Sequence, residues 1–100
     1  MDMANTTEIL QAIAEYVAKF GGPFSLWYAG IAADPQSRLF SEHGVDKHKD
    51  AWIYRLCDSS SDARAIETYL IQRGMKGGPG GGDNTTRSIY AYRMTASTRE

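Results

Sequence analysis

Apolar residues recur every three or four positions along two stretches of the chain, the spacing that places them on one face of a helix. In the first stretch this spacing predicts a helix from about Thr6 to Phe20, with Asn5 as its N-cap and Gly21-Gly22-Pro23 as its stop. In the second stretch, a Ser59 cap precedes a helix that continues up to Gly74. Each predicted helix therefore has an apolar face that needs a partner.

Three short segments are rich in β-branched and aromatic residues and are bounded by residues typical of turns. They predict strands at Phe24–Ala32, Ala51–Cys57 and Thr86–Met94, and we place the first of these at the centre of the sheet. An Asp-Pro pair predicts a further short helix, Pro35–His43. We expect an α+β fold in which helices flank a small three-stranded sheet.

With 100 residues the chain has the length of one domain, so residues 1–100 are treated as a single unit whose last six residues fray. Six of the ten glycines fall in residues 74–83. This glycine-rich loop either connects a helix to a strand without further function or holds a phosphate on its backbone N–H groups. It contains no P-loop motif, and we favour the connector.

The charges of the chain nearly cancel, since eleven Lys and Arg face twelve Asp and Glu for a net charge of -1. Bulk attraction to nucleic acid is therefore not expected. Residues 73–99 nevertheless carry five cations and one acid. Four of these cations are candidate nucleic-acid contacts: Arg73, Lys76, Arg87 and Arg93. The same pattern also fits an ordinary solvated surface, because arginine is common on surface strands.

The single cysteine, Cys57, excludes an internal disulfide and favours a reducing, cytoplasmic setting. We interpret its side chain as a small buried apolar group rather than a nucleophile. No apolar run approaches the ~20 residues of a membrane helix, and Asp2 and Glu8 interrupt any leader-like segment. His43 and His48 lie five residues apart, a spacing that suits no zinc motif, so both are expected at the surface.

Aromatic residues alternate along the predicted strands, which sends Trp52 with Tyr54, and Tyr90 with Tyr92, to one side of their strands. Such rows of rings are able to stack nucleic-acid bases. With helices available to cover both sides of the sheet, core packing is the favoured interpretation.

A set of polar residues near the ends of these elements suits phosphodiester hydrolysis with one divalent metal ion. Glu67 offers a hard oxygen ligand of the kind that Mg²⁺ prefers. Arg38 is able to stabilise charge that builds on the phosphate in the transition state. Tyr28 is able to orient or deprotonate the attacking water, given help from its surroundings.

Over about Leu26 to Asn84, the chain resembles the GIY-YIG nuclease family. The matching pieces are Trp27-Tyr28-Ala29-Gly30-Ile31 for the second signature, an arginine eight residues after Gly30, then His43, Ala65-Ile66-Glu67 and Asn84. The resemblance implies catalytic roles for Tyr28, Arg38, His43 and Glu67. It also implies binding of Mg²⁺, or Mn²⁺ in its place, by Glu67 with Asn84. The implied partner is nucleic acid, which we expect to be DNA rather than RNA. No membrane partner is expected.

The family's first signature, expected upstream of Tyr28 on a partner strand, is missing, and His43 follows Arg38 by one residue more than is common in the family. Ser88-Ile89-Tyr90 resembles a degenerate first signature. In a permuted version of the fold, its strand pairs beside Tyr28. Tyr90 then joins the catalytic residues, with Tyr90 or Tyr92 within hydrogen-bonding distance of Arg38 or Glu67.

Two other functions stay open. The missing first signature and the net charge of -1 also fit an inactive relative of these nucleases that binds nucleic acid or a protein. A protein that dimerises through its aromatic faces has only composition in its support.

Overall fold

The structure is a computed structural model that describes residues 3–78 and 85–100, with side chains described from Thr6 onwards. Asn84 and the distal part of the predicted glycine-rich loop lie outside the described residues. The helices and strands of the described part are, in chain order, helix α1 (Met3–Phe20), strand β1 (Trp27–Ala32), strand β2 (Trp52–Leu56), helix α2 (Ser60–Gln72) and strand β3 (Ser88–Arg93). The predicted α+β class is confirmed.

The three strands form an antiparallel sheet in the order β1-β3-β2, so β3 lies in the middle and the predicted central position of the first strand is wrong. Lys76 covers part of the free edge of β1. The Ala29 N–H donates to the Lys76 carbonyl and the Lys76 N–H donates to the Trp27 carbonyl, both at 2.9 Å. Because β1 is also buried on both faces, an edge strand here has the continuous apolar sequence expected of a central one.

The structure changes two predicted element boundaries and confirms one predicted helix cap. Helix α1 begins at Met3, so Asn5 lies inside the helix rather than at its cap. Phe24–Leu26, predicted as the start of the first strand, form a 3₁₀ turn instead. In this turn the Leu26 N–H donates to the Pro23 carbonyl at 3.1 Å. The predicted cap of α2 forms, with the Asp62 N–H donating to Ser59 Oγ at 3.1 Å.

The sheet separates two apolar clusters. Helices α1 and α2 cover one face, on which Trp27 is fully buried. Tyr90 and Tyr92 are fully buried on the opposite face, against Leu39. Core packing of the aromatic rings is confirmed for these three rings, whereas the stacked pair Trp52 and Tyr54 is only partly buried.

The predicted short helix Pro35–His43 contains a wider turn over Ser37–Glu42. The His43 N–H donates at 2.9 Å to the carbonyl of Arg38, five residues earlier, which is the π-helical pattern. An α-helical turn would join residues four apart. The wide turn therefore accommodates one additional residue between Arg38 and His43.

The last six residues turn back onto the fold instead of fraying as expected. The Thr98 N–H donates to the Thr95 carbonyl at 3.3 Å, and the Arg99 N–H donates to the His43 carbonyl at 2.6 Å. The Arg99 N–H thereby supplies a hydrogen-bond partner to the carbonyl of the buried residue His43. The backbone of Arg99 consequently forms part of the wall behind His43.

Cys57 is 1% exposed in the helix-covered cluster, which confirms the prediction of a buried apolar side chain. Burial raises the pKa of its thiol to about 11, so the thiolate needed for nucleophilic chemistry is scarce at neutral pH. Across residues 3–78 and 85–100, no helix is both long and apolar enough to cross a membrane.

Gly30 of β1 and Tyr90 of β3 lie opposite each other in the sheet and approach closely. A Cβ added at residue 30 would lie 2.5 Å from the phenol oxygen of Tyr90 and 2.6 Å from its ring carbon Cζ. Only glycine leaves room for this ring, because a Cβ at residue 30 would lie closer to the phenol than the van der Waals radii of the atoms allow.

Gly30→Ala is expected to lower the free energy of unfolding by about 1–3 kcal/mol, because the ring has to move out of a packed core. The melting temperature should fall by about 4–8 °C for each kcal/mol, as measured by circular dichroism. Gly78→Ala is the control, since nothing lies within 4 Å of a Cβ at that position. If the Gly30 and Gly78 variants melt together with the wild type, the close approach does not exist.

Candidate active site

A cavity of about 340 Å³ lies at the edge of β1 and brings together residues from five parts of the chain. Tyr28 comes from β1, Arg38 from the wide turn, Glu67 from α2 and Tyr90 from β3. Thr86 also lines the cavity, just before β3. Four of the five predicted catalytic residues thus line one cavity, and the fifth is His43.

His43 lies directly behind Tyr90. Its Nε2 is 2.8 Å from the Tyr90 hydroxyl, and its Nδ1 is 2.6 Å from the Arg99 carbonyl. Because a carbonyl only accepts, we assign the proton of the ring to Nδ1, which leaves Nε2 to accept from the Tyr90 O–H. The Tyr92 hydroxyl donates to the same Arg99 carbonyl at 2.9 Å. The expectation that His43 is a surface histidine is wrong, since it is 5% exposed, whereas His48 is exposed as predicted.

Burial sets the protonation of this tyrosine and histidine pair. It raises the pKa of the Tyr90 phenol to about 12, so the phenol keeps its proton at neutral pH. Burial also lowers the pKa of His43 below its ordinary value, against the opposing effect of the hydrogen bond to Arg99. A neutral imidazole behind a neutral phenol is the arrangement in which the hydrogen bond between them runs from oxygen to nitrogen.

Tyr28 is half-buried beside this pair. Its ring stacks on Tyr92 with 5.3 Å between centroids and an angle of 25° between planes. The His43 ring lies 4.8 Å from it. Tyr28 is therefore held at the rim of the cavity by ring contacts, while Tyr90 is the tyrosine whose hydroxyl has a proton acceptor.

Arg38 contributes a cation to the cavity wall and is held from behind by Glu42. Arg38 Nε lies 3.1 Å from Glu42 Oε1, a contact without hydrogen-bond geometry between side chains that are 42% and 59% exposed. Exposed pairs of this kind contribute about 0–1 kcal/mol. The ion pair is formed at Nε, and Arg38 at the same time lines the cavity.

Glu67 is a buried carboxylate on the apolar face of α2, 2% exposed among Ala63, Ile66 and Leu70. Within residues 3–78 and 85–100 its Oε1 has no hydrogen-bond partner, and burial raises the pKa of the carboxyl, with the Arg64 charge opposing. A buried carboxylate oxygen without a partner is costly and therefore uncommon.

A buried oxygen without a partner, facing a cavity, fits a hard cation such as Mg²⁺. This ion needs only one or two carboxylates because it keeps several waters. Glu67 is the residue that would hold it, and Asn84, the predicted second ligand, lies outside the described residues. Within the described residues, no three side chains of the His, Cys, Asp or Glu type come together.

The four predicted nucleic-acid contacts do not line one common recess of the described residues. Arg73 stacks on the Tyr69 ring at 4.6 Å, and Lys76 lines a shallow recess beside Tyr28. Arg87 is exposed next to β3, and Arg93 lines a second recess that does not contain the other three. Their role in binding nucleic acid stays a prediction.

One supporting feature of the cavity was beyond sequence reasoning. The Arg99 carbonyl that fixes the His43 ring is 56 residues away in the chain and belongs to the backbone, so no residue type indicates it. The pairing of β3 beside β1, which brings Tyr90 to Gly30, follows the predicted permutation. The five-residue spacing of Arg38 and His43 was the one available signal of the wide turn.

Comparisons of the chain with protein-family models, with curated proteins and with solved structures gave no match.

The buried carboxylate of Glu67 gives a stability prediction whose sign follows from its raised pKa. Burying the ionised form costs stability above the ordinary carboxyl pKa, and the cost disappears as the pH falls and the group is protonated. Glu67→Gln is therefore expected to melt above the wild type at pH 7.5, with the difference shrinking toward pH 4. Glu42→Gln, whose side chain is 59% exposed, is the control with no such trend. A Glu67→Gln protein that melts at or below the wild type at both pH values would show that the carboxylate is not a buried charge.

The titration of His43 is the second prediction of the site. In the His48→Ala variant His43 is the only histidine, so its ring proton resonance is assigned directly by NMR. We expect a midpoint below 6.5, because burial disfavours the charged ring. Since the folded pKa is lowered, His43 contributes stability above pH 6.5 that is lost as the pH falls. A midpoint at or above 6.5 would contradict the neutral, Nδ1-protonated ring.

Proposed function

We propose that the protein is a metal-dependent nuclease of the GIY-YIG type, which hydrolyses phosphodiester bonds of nucleic acid, with DNA preferred. The observation that carries this proposal is the meeting of Tyr28, Arg38, Glu67 and Tyr90 at one cavity of about 340 Å³. A cation, a buried carboxylate and a hydrogen-bonded phenol are the groups that phosphodiester hydrolysis with one metal ion needs.

In the proposed reaction, Tyr90 and His43 activate the attacking water. The lone pair of the Tyr90 oxygen accepts a proton from water while the Tyr90 proton passes to His43 Nε2, 2.8 Å away. The water oxygen then forms a bond to phosphorus as the bond to the leaving oxygen breaks, and that oxygen takes a proton from solvent. The phenol is never a free phenolate, which suits its pKa of about 12.

Arg38 and Glu67 act on the phosphate side. The guanidinium of Arg38 binds the phosphate oxygens and stabilises the charge that increases on them in the transition state. A divalent ion held by Glu67 would supply Lewis-acid polarisation of the phosphate. The buried position of Glu67 would strengthen its interaction with the ion, because charges attract more strongly where water is excluded.

The resemblance to GIY-YIG nucleases gains support from two features of the fold. Ser88-Ile89-Tyr90, the degenerate first signature, lies on β3, which pairs antiparallel with β1 and sets Tyr90 opposite Gly30. The wide turn accommodates the additional residue between Arg38 and His43. Tyr90 hydrogen-bonds to His43, and the structure records no such bond from it to Arg38 or Glu67, with which it shares the cavity. The proposed relationship is therefore a circular permutation: the segment that resembles the family's first signature follows the other motifs in this chain instead of preceding them.

Cleavage of a fluorescently labelled DNA duplex and single strand, with Mg²⁺ or Mn²⁺, tests the proposal. We expect Glu67→Ala and Arg38→Ala to lose about 10²–10³-fold in rate and Tyr90→Phe about 10²–10⁴-fold. Glu15→Gln, on the exposed side of α1, is the control that retains full activity. Cleavage that survives in Glu67→Ala removes the carboxylate from the mechanism, and wild-type protein that cleaves neither substrate with either metal overturns the proposal.

The inactive binding module remains the alternative, and the same samples distinguish it. Retained binding of DNA without cleavage, in the wild type and in Glu67→Ala alike, would favour the module over the enzyme. Binding is measured in EDTA for this purpose, so that the two readouts are independent.

A further inference from the structure

A second recess, of about 530 Å³, lies at the opposite end of the sheet from the candidate active site. We call it the basic recess. It is lined by cations and aromatic rings, chiefly Tyr16, Phe20, Lys47, Lys49, Trp52 and Arg93. These residues come from the end of α1, the loop before β2, the start of β2 and the end of β3, so the recess is formed by the tertiary fold rather than by one segment.

The loop that carries the two lysines is held rigidly by its acids. Asp46 Oδ1 accepts the backbone N–H groups of His48 at 2.9 Å and Lys49 at 3.0 Å. The Asp50 carboxylate accepts the Asp46 N–H at 2.8 Å, and the Asp50 N–H returns to the Asp46 carbonyl at 3.0 Å. These bonds lower the pKa of the Asp46 carboxyl and keep both carboxylates engaged with the backbone.

The cations of the basic recess are consequently left without acidic partners. Among the described residues, no ion pair joins Lys47, Lys49 or Arg93 to a carboxylate, although Asp50 also lines the recess. Among the described residues, Arg93 Nε is buried and has no hydrogen-bond partner. Lys47, Lys49 and Arg93 against the single carboxylate of Asp50 give the lining of the recess an excess of positive charge, which favours an anion as the occupant.

Aromatic rings complete the recess. Phe20 is 44% exposed, although its ring lies 4.4 Å from that of Tyr16, and Lys19 lies 5.5 Å above it. Trp52 is partly buried, with its indole N–H donating to the Lys47 carbonyl at 3.0 Å. An exposed ring beside unpaired cations is the combination that stacks a base and holds the adjoining phosphates. A paired base inside a duplex cannot reach such a ring.

We infer that the basic recess binds an unpaired nucleotide of the nucleic-acid substrate, with Lys47, Lys49 and Arg93 on its phosphates and Phe20 against its base. This inference rests on the proposed function for the identity of the substrate. It assigns the main grip on nucleic acid to the loop before β2 and not to Arg73 or Arg87.

The test measures binding of fluorescein-labelled oligothymidine, 20 nucleotides long, by anisotropy in EDTA over a series of salt concentrations. Lys47→Ala/Lys49→Ala is expected to weaken binding on the order of tenfold and to reduce the salt slope by about 1.4, at about 0.7 per phosphate contact. The matched control is Arg73→Ala/Arg87→Ala, which removes the same charge elsewhere and should change the affinity less than twofold. If the two double variants lose the same affinity, the loss follows from the change in net charge and not from the recess, which would overturn the inference.

The base-stacking part is tested at Phe20. Phe20→Ala should weaken binding of the single strand at least fivefold, because stacking on a ring contributes about 1–3 kcal/mol per base. Phe20→Tyr, which keeps a ring, should bind like the wild type. Thermal melts verify that each variant is folded. Equal affinity of the wild type for the oligothymidine and for a duplex of the same length would overturn the unpaired nucleotide.

Failure of this inference is distinguishable from failure of the proposed function, because binding is measured without metal. If the protein cleaves nucleic acid and Lys47→Ala/Lys49→Ala changes neither binding nor cleavage, the basic recess is rejected as a binding site and the proposed nuclease function stands. If binding depends on Lys47 and Lys49 but the protein never cleaves, the nuclease function is rejected and the binding site stands.

Discussion

The buried hydroxyl of Tyr90 is the constraint around which the rest of this small protein is arranged. The ring crosses Gly30 at contact distance, so the phenol cannot turn toward solvent, and its O–H has to find an acceptor inside the protein. That acceptor is His43 Nε2, which accepts only while the proton of the ring is on Nδ1. The Arg99 carbonyl fixes that tautomer. A chain of three hydrogen-bonded groups thus joins the middle strand, the wide turn and the tail.

These hydrogen-bonded groups explain two features that local sequence patterns do not predict, namely the wide turn before His43 and the packing of the tail. The wide turn over Ser37–Glu42 sets His43 behind Tyr90 while Arg38 stays at the cavity wall. A turn of this type is rare in general and frequent at functional sites. The tail packs on His43 instead of fraying because its backbone supplies partners that the buried ring and the His43 carbonyl need.

Local patterning was sufficient for much of the fold and for little of the site's interior. The apolar spacing of α1 and α2, and the Ser59 cap, depend on neighbours in sequence and were predictable. The central position of β3 was not, because Lys76 and burial on both faces make the edge strand β1 look like a central one. The burial of His43 was missed for a similar reason, since its partners lie 47 and 56 residues away. Lys47 and Lys49 look like solvated loop residues until the fold sets them beside Arg93.

Glu67 decides how the cavity is interpreted. A glutamate that serves only the fold would lie on the wet side of α2 or pair with a cation, because an unpaired carboxylate inside the protein lowers stability. Glu67 is instead buried on the apolar side, and among the described residues its Oε1 has no hydrogen-bond partner, while Arg38 and two tyrosines line the same cavity. Buried apolar packing alone would be better served at this position by leucine or methionine of similar volume. The buried carboxylate therefore supports the proposal that Glu67 serves a ligand in the cavity, at the expense of the stability of the domain that holds it.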